Sequence, residues 1–140
     1  MASARLIDLQ PWPFDGAPRV LLEHADPEAC FPLVEELRHR GCAVGICSGP
    51  DVDARCPLHA LEACAAVEGA DVVFTALGFW REDAREVLRG LRARYPGKPL
   101  VVGTAVAEAL ELQSELYGCT VVPEDAEPAR IADAVTAALV

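Results

Sequence analysis

The chain has 140 residues, 52% of them apolar, and its 22 acidic against 12 basic side chains leave a formal charge of −10. That length suits one domain able to bury a core without staples, and the acidic balance argues against nucleic acid, which is gripped by Lys and Arg releasing counterions. No stretch approaches the ~18 uninterrupted apolar residues of a membrane helix. The first residues lack a signal peptide's apolar core, so the expectation is a cytoplasmic protein with no membrane contact.

Residues 1–18 hold Trp12, Phe14 and three prolines, Pro11, Pro13 and Pro18. Proline at this density opposes a helix. The segment reads as an irregular N-terminal extension, either laid on its own domain or docking a partner through Trp12 and Phe14, since aromatics anchor interfaces. The domain proper is expected over 19–140. Arg19-Val-Leu-Leu-Glu23 is its first strand. Asp26-Pro27-Glu28 then supplies an N-cap, an N1 proline and an acidic first turn. Cys30, Leu33, Val34 and Leu37 form the apolar stripe of a helix that Gly41 ends, with Pro32 forcing an irregular first turn.

Cys42-Ala-Val-Gly-Ile-Cys47 is the second strand and 48–55 a loop rich in Gly, Pro and Asp. Cys56-Pro57 reads as the start of a helix reaching Glu68, with Gly69 closing it. The run from Ala70 to Gly78 is continuous in Val, Phe and Leu, as in a central strand covered on both faces. Residues 81–94 form an amphipathic helix with Ala84, Val87, Leu88 and Leu91 inward and arginines outward. Pro99-Leu-Val-Val-Gly103 and Cys119-Thr-Val-Val-Pro123 are the last strands, and residues 105–117 and 128–139 the last helices, the final one striped by Ile131, Ala132, Val135 and Leu139. The pattern is (βα)5, an α/β fold with a five-stranded parallel, doubly wound sheet whose first or third strand is central. Ligands of such sheets meet the carboxyl ends of the strands.

Several motifs taken in order resemble a response-regulator receiver domain of the chemotaxis type, a flavodoxin-like three-layer sandwich. They are Val20-Leu-Leu-Glu-His-Ala-Asp-Pro-Glu28, Ala70-Asp71-Val72-Val73, Glu86-Val-Leu-Arg-Gly-Leu-Arg92 and Pro99-Leu-Val-Val-Gly-Thr-Ala105. The resemblance implies a phosphoacceptor Asp after the third strand, where Ala76 stands behind Thr75. It implies two Mg2+-binding acids after the first, where His24 and Ala25 stand with Glu23 and Asp26 nearby. It implies a Lys after the fifth strand, where Glu124 reverses the charge; Thr104 alone is retained. A hard cation needing near-octahedral oxygen ligands would be poorly served there, and one hydroxyl cannot stabilise a transferring phosphoryl group. The resemblance therefore implies a degenerate pseudo-receiver that is not phosphorylated, has no cofactor and is no enzyme. It would act through a protein partner, with a homodimer through the fourth and fifth helices as one form.

Other chemistry leaves weaker traces. Strand one leads into no cluster of glycines to cradle phosphate, and no Cys has Arg six positions on. His24, His39 and His59 are too scattered for a triad. Cys30, Cys42, Cys64 and Cys119 sit at apolar or small-residue positions, where a thiol acts as a compact hydrophobe. Cys47 and Cys56 close a strand and open the next helix on one edge of the sheet, so a thiol-based redox pair is the alternative function. A soft metal joined by His59 or Cys64 is its variant. On a helix spanning 57–68, Cys64 would lie about 12 Å along the axis from Cys56, too far to share an ion with it.

Overall fold

The computed structural model describes residues 6–7, 16–49, 56, 58 and 62–140. Five strands run parallel: β2 (Arg19–His24), β3 (Ala43–Cys47), β4 (Val72–Ala76), β5 (Leu100–Thr104) and β6 (Thr120–Pro123). Their order is β3-β2-β4-β5-β6, which puts the Val72–Ala76 strand in the middle, as its unbroken apolar run predicts. A two-residue strand, β1 (Leu6–Ile7), pairs antiparallel with Cys47 and Ile46 on the outer edge of β3. The N-terminal extension is therefore not irregular throughout, and its first strand lengthens the sheet to six.

Two apolar layers flank the sheet. Val20, Leu22, Ile46, Val72, Phe74, Val101 and Val122 meet the helices α1 (Phe31–His39) and α6 (Pro128–Ala138) on one face. Leu21, Cys47, Val73, Leu100 and Val102 point the other way, as the two-residue period of a strand demands. They meet α2 (Ala65–Gly69), α3 (Glu82–Arg94) and the pair α4 (Val106–Glu111) and α5 (Gln113–Leu116). The expected stripes are buried on α1 (Leu33, Val34 and Leu37) and α3 (Ala84, Val87, Leu88 and Leu91); on α6 Ile131, Ala132 and Val135 are buried, while Leu139 caps the helix and is only partly covered. The irregular start caused by Pro32 is a 3-10 turn over Pro27–Cys30, capped by the Asp26 carboxylate accepting from the Glu28 amide.

Two helices differ from expectation. Residues 62–64 are not helical, Cys64 is extended, and α2 begins only at Ala65. Tertiary contacts override propensity here. The Cys64 amide donates to the Tyr95 hydroxyl at 2.9 Å, which itself donates to Glu68 at 2.6 Å. Leu58, fully buried, lays its backbone against Gly90 in the middle of α3, where a side chain would collide with it. The helix expected over 105–117 breaks at Leu112 (φ −105°, ψ 23°), which lets Leu112 and Leu116 enter the core while Val106 and Leu110 stay outside.

Candidate functional site

Strand register assembles the residues singled out at the carboxyl edge. Glu23 on β2 lies beside Thr75 on β4 and Cys47 on β3, His24 beside Ala76, and Thr104 on β5 beside Pro123 on β6. The Glu124 amide closes the row by donating to the Thr104 carbonyl at 3.2 Å. Alternation then sorts these residues between the faces. Glu23, Thr75 and Thr104 share the side of Leu21, Val73 and Val102, toward α2 and α3, whereas His24 and Ala76 share that of Leu22 and Phe74, toward α1 and α6.

The first group is the buried polar set among the described residues, with Glu23 2%, Thr75 1% and Thr104 3% exposed. Thr104 Oγ1 donates to the Ala105 carbonyl at 3.3 Å. Thr75 Oγ1 has no partner, nor does the buried Oγ of Ser48 just past β3. An unpaired buried hydroxyl costs about 1–3 kcal/mol.

His24 is half-buried, and its Nδ1 accepts from the Asp26 amide at 3.0 Å. Burial lowers the pKa of its imidazole below the ordinary value, outweighing the pull of Asp26 and Glu124 in the opposite direction. The histidine is thus kept neutral within reach of two carboxylates. Ala76 stands at the apolar layer beneath α1 and α6 with no polar atom to offer, and a Cβ placed on Gly103 of β5 would lie 3.3 Å from its own. Phe79, three residues past β4, offers nothing to this spot either, since it turns into the core beside α3. Chemically the row offers a neutral imidazole, two hydroxyls and several carboxylates, and none of its members carries a positive charge to meet an anion.

The cysteines divide differently from the expectation. Cys47 and Cys56 are buried free thiols in the layer beneath α3, and Cys64 packs against that layer. Cys64, not Cys56, holds the N-cap position of the next helix, so the 12 Å separation expected along one helix axis does not apply to these two thiols. Burial pushes the Cys64 thiol up, outweighing the pull of the Val67 and Ala66 amides, and lifts Cys30 to about 12. A raised pKa disfavours, at Cys64 and Cys30, the thiolate that redox exchange requires. Among the described residues no group of three His, Cys, Asp or Glu converges to hold a metal. His59, Trp12 and Phe14 lie outside the described residues.

Sequence reasoning set the arginines of α3 on its outward face but missed the partners they find there. Arg85 and Arg89 reach across to Glu111 and Glu115 at 2.5 and 3.1 Å. The readable signal was the spacing, four residues between the arginines and four between the glutamates, one helical turn in each.

No protein-family model matches the chain, and no curated protein matches it in sequence. Solved structures do match. A response regulator from Thermotoga maritima is similar with a TM-score of 0.64 at 16% identity, over 88% of this chain and 98% of that one. The receiver domain of nitrogen regulatory protein C in its apo form gives 0.66 at 18%, over 87% and 94%. A response regulator receiver protein from Sinorhizobium medicae gives 0.63 at 23%, over 89% and 95%. The fold is that of response-regulator receiver domains. Among the described residues no helix is long and apolar enough to cross a membrane.

Proposed function

We propose that the chain is a pseudo-receiver: a cytoplasmic, non-enzymatic regulatory module over residues 19–140 that is not phosphorylated on Asp and signals by binding another protein. One observation carries this reading. Ala76 lies beside His24 at the carboxyl edge, where a receiver of the chemotaxis type would need a carboxylate acceptor and its metal-binding acids. Glu124, acting on His24, adds negative charge where an anionic phosphoryl group would need a cation. The reading rests on the site, since the fold alone hosts many activities. The partner surface we favour is the outer side of α4 and β6 with the turn after α5 between them, which exposes Val106, Leu110, Tyr117 and Val121; a second copy of the chain is the homodimeric form of that contact.

The test is incubation with Mg2+ and acetyl phosphate, then intact-mass measurement. No added phosphoryl mass is expected, in wild type or in Ala76→Asp, because Ala25 and Glu124 still withhold a metal ligand and the cation. A stoichiometric acyl phosphate on the wild-type chain would end the proposal. For the homodimer, light scattering should show a concentration-dependent mass that Leu110→Glu abolishes; a monomer at every concentration would rule it out.

A further inference from the structure

Arg85, one turn into α3, holds two separate parts of the domain with one guanidinium. Its Nε donates to the Phe79 carbonyl at 2.5 Å, in the loop after β4, and its Nη2 meets the Glu111 carboxylate at 2.5 Å, at the end of α4. One turn on, Arg89 binds Glu82 of its own helix and Glu115 of α5, and Arg92 donates to the Tyr117 carbonyl. The two cross-helix ion pairs both join residues 26 positions apart, so α3 and the α4–α5 pair run side by side with a rung at every turn.

These rungs matter to α4 because, of its own side chains, Ala109 alone packs against the core, and that one is only partly buried. None of its side chains is buried, and Val106 and Leu110 are 76% and 64% exposed. Its axis ends at Leu112, whose side chain is the first to be fully buried, so Leu112 is the natural pivot. The loop tied to the same guanidinium is also open to partners, since Trp80 next to Phe79 is 74% exposed. Arg suits both duties, because its planar fork holds two acceptors in fixed relation where a Lys ammonium would not.

We infer that Arg85 couples the loop after β4 to α4, so that a protein seated on either surface alters the freedom of the other. Such coupling is reciprocal by thermodynamic necessity. A change on α4 must then be felt in the loop, which a merely structural ion pair would not bring about.

The experiment is amide hydrogen exchange on the whole chain, comparing wild type, Arg85→Gln and Glu111→Gln at low salt and at about 1 M salt, where exposed ion pairs are screened. The Arg81 amide, bonded to the Gly78 carbonyl, reports on the loop; the Ala109 amide, bonded to the Ala105 carbonyl, reports on α4; the Ile131 amide on α6 is the control. Either variant should speed exchange at both Arg81 and Ala109 by about two- to fivefold, the scale of one surface ion pair. Ile131 should be unchanged, and high salt should bring wild type to the variants' rates. Glu111→Gln that loosens Ala109 but leaves Arg81 at the wild-type rate overturns the coupling. Acceleration shared equally by Ile131 overturns it too, because the effect would then be global.

Discussion

Replacing Gly90 with Ala sets two effects of similar size against each other. In an ordinary helix interior the change gains about 1 kcal/mol, because Gly is the poorer helix former. Gly90 lies in the middle of a 13-residue helix with acidic residues in its first turn and Arg92 and Arg94 in its last, so that gain is available. Against it stands the Leu58 backbone. A Cβ on Gly90 would fall on the Leu58 carbonyl oxygen, with the carbonyl carbon at 3.2 Å and Cα at 3.5 Å. Backbone atoms of a fully buried residue cannot swing aside as a side-chain tip can, and overpacking of a tight site costs about 1–3 kcal/mol. The net expectation is a loss of about 1 kcal/mol, which for a domain of this size lowers Tm by roughly 4 °C. Thermal melts monitored by circular dichroism decide it, with Gly97→Ala as control, since nothing lies within 4 Å of a Cβ at Gly97. A Gly90→Ala protein that melts above wild type would refute the packing of Leu58 against α3 and restore the helix expected over 57–68.

Three further outcomes concern the carboxyl edge. Because the folded state holds the His24 pKa below 6.5, protonation favours the unfolded chain, so stability should fall as pH drops through about 6.5; urea midpoints from pH 7.5 to 5.5 should show that slope in wild type and a shallower one in His24→Asn, and equal slopes would refute it. Thr75→Val removes an unpartnered buried hydroxyl at nearly constant volume and should raise stability by up to about 1 kcal/mol; a lower melting point would mean that Thr75 serves a ligand or partner. Ala76→Leu should cost about 1 kcal/mol, the low end for overpacking, because Ala76 abuts Gly103 yet is only partly covered; an unchanged urea midpoint at equal slope would reveal free volume above the central strand.

How much of the fold and the site was legible in the sequence depends on the range of the forces involved. Strands buried on both faces write themselves as continuous apolar runs, and right-handed crossovers leave few strand orders, so the sheet and the row Glu23, His24, Thr75, Ala76 and Thr104 could be placed from local pattern and topology alone. The edge strand Leu6–Ile7 could not, because two residues carry no period and their partners, Cys47 and Ile46, are remote in sequence. Residues 57–68 misled for the opposite reason. Their helix propensity is real, but the Cys64 amide finds its acceptor on Tyr95 and the Leu58 backbone finds its notch at Gly90, both on the α3 side and both invisible to a periodicity. A glycine amid strong helix formers was the available warning, since a mid-helix Gly costs about 1 kcal/mol against Ala and needs a packing reason. The same holds for the charges on α3. Their spacing announced one face, and only the fold could tell that this face meets Glu111 and Glu115 rather than water. Under the proposed pseudo-receiver reading the carboxyl edge takes no phosphoryl group, and contacts such as Arg85 with Glu111 are then the route by which one surface can inform another, so that Arg85 rather than Ala76 is the residue to perturb.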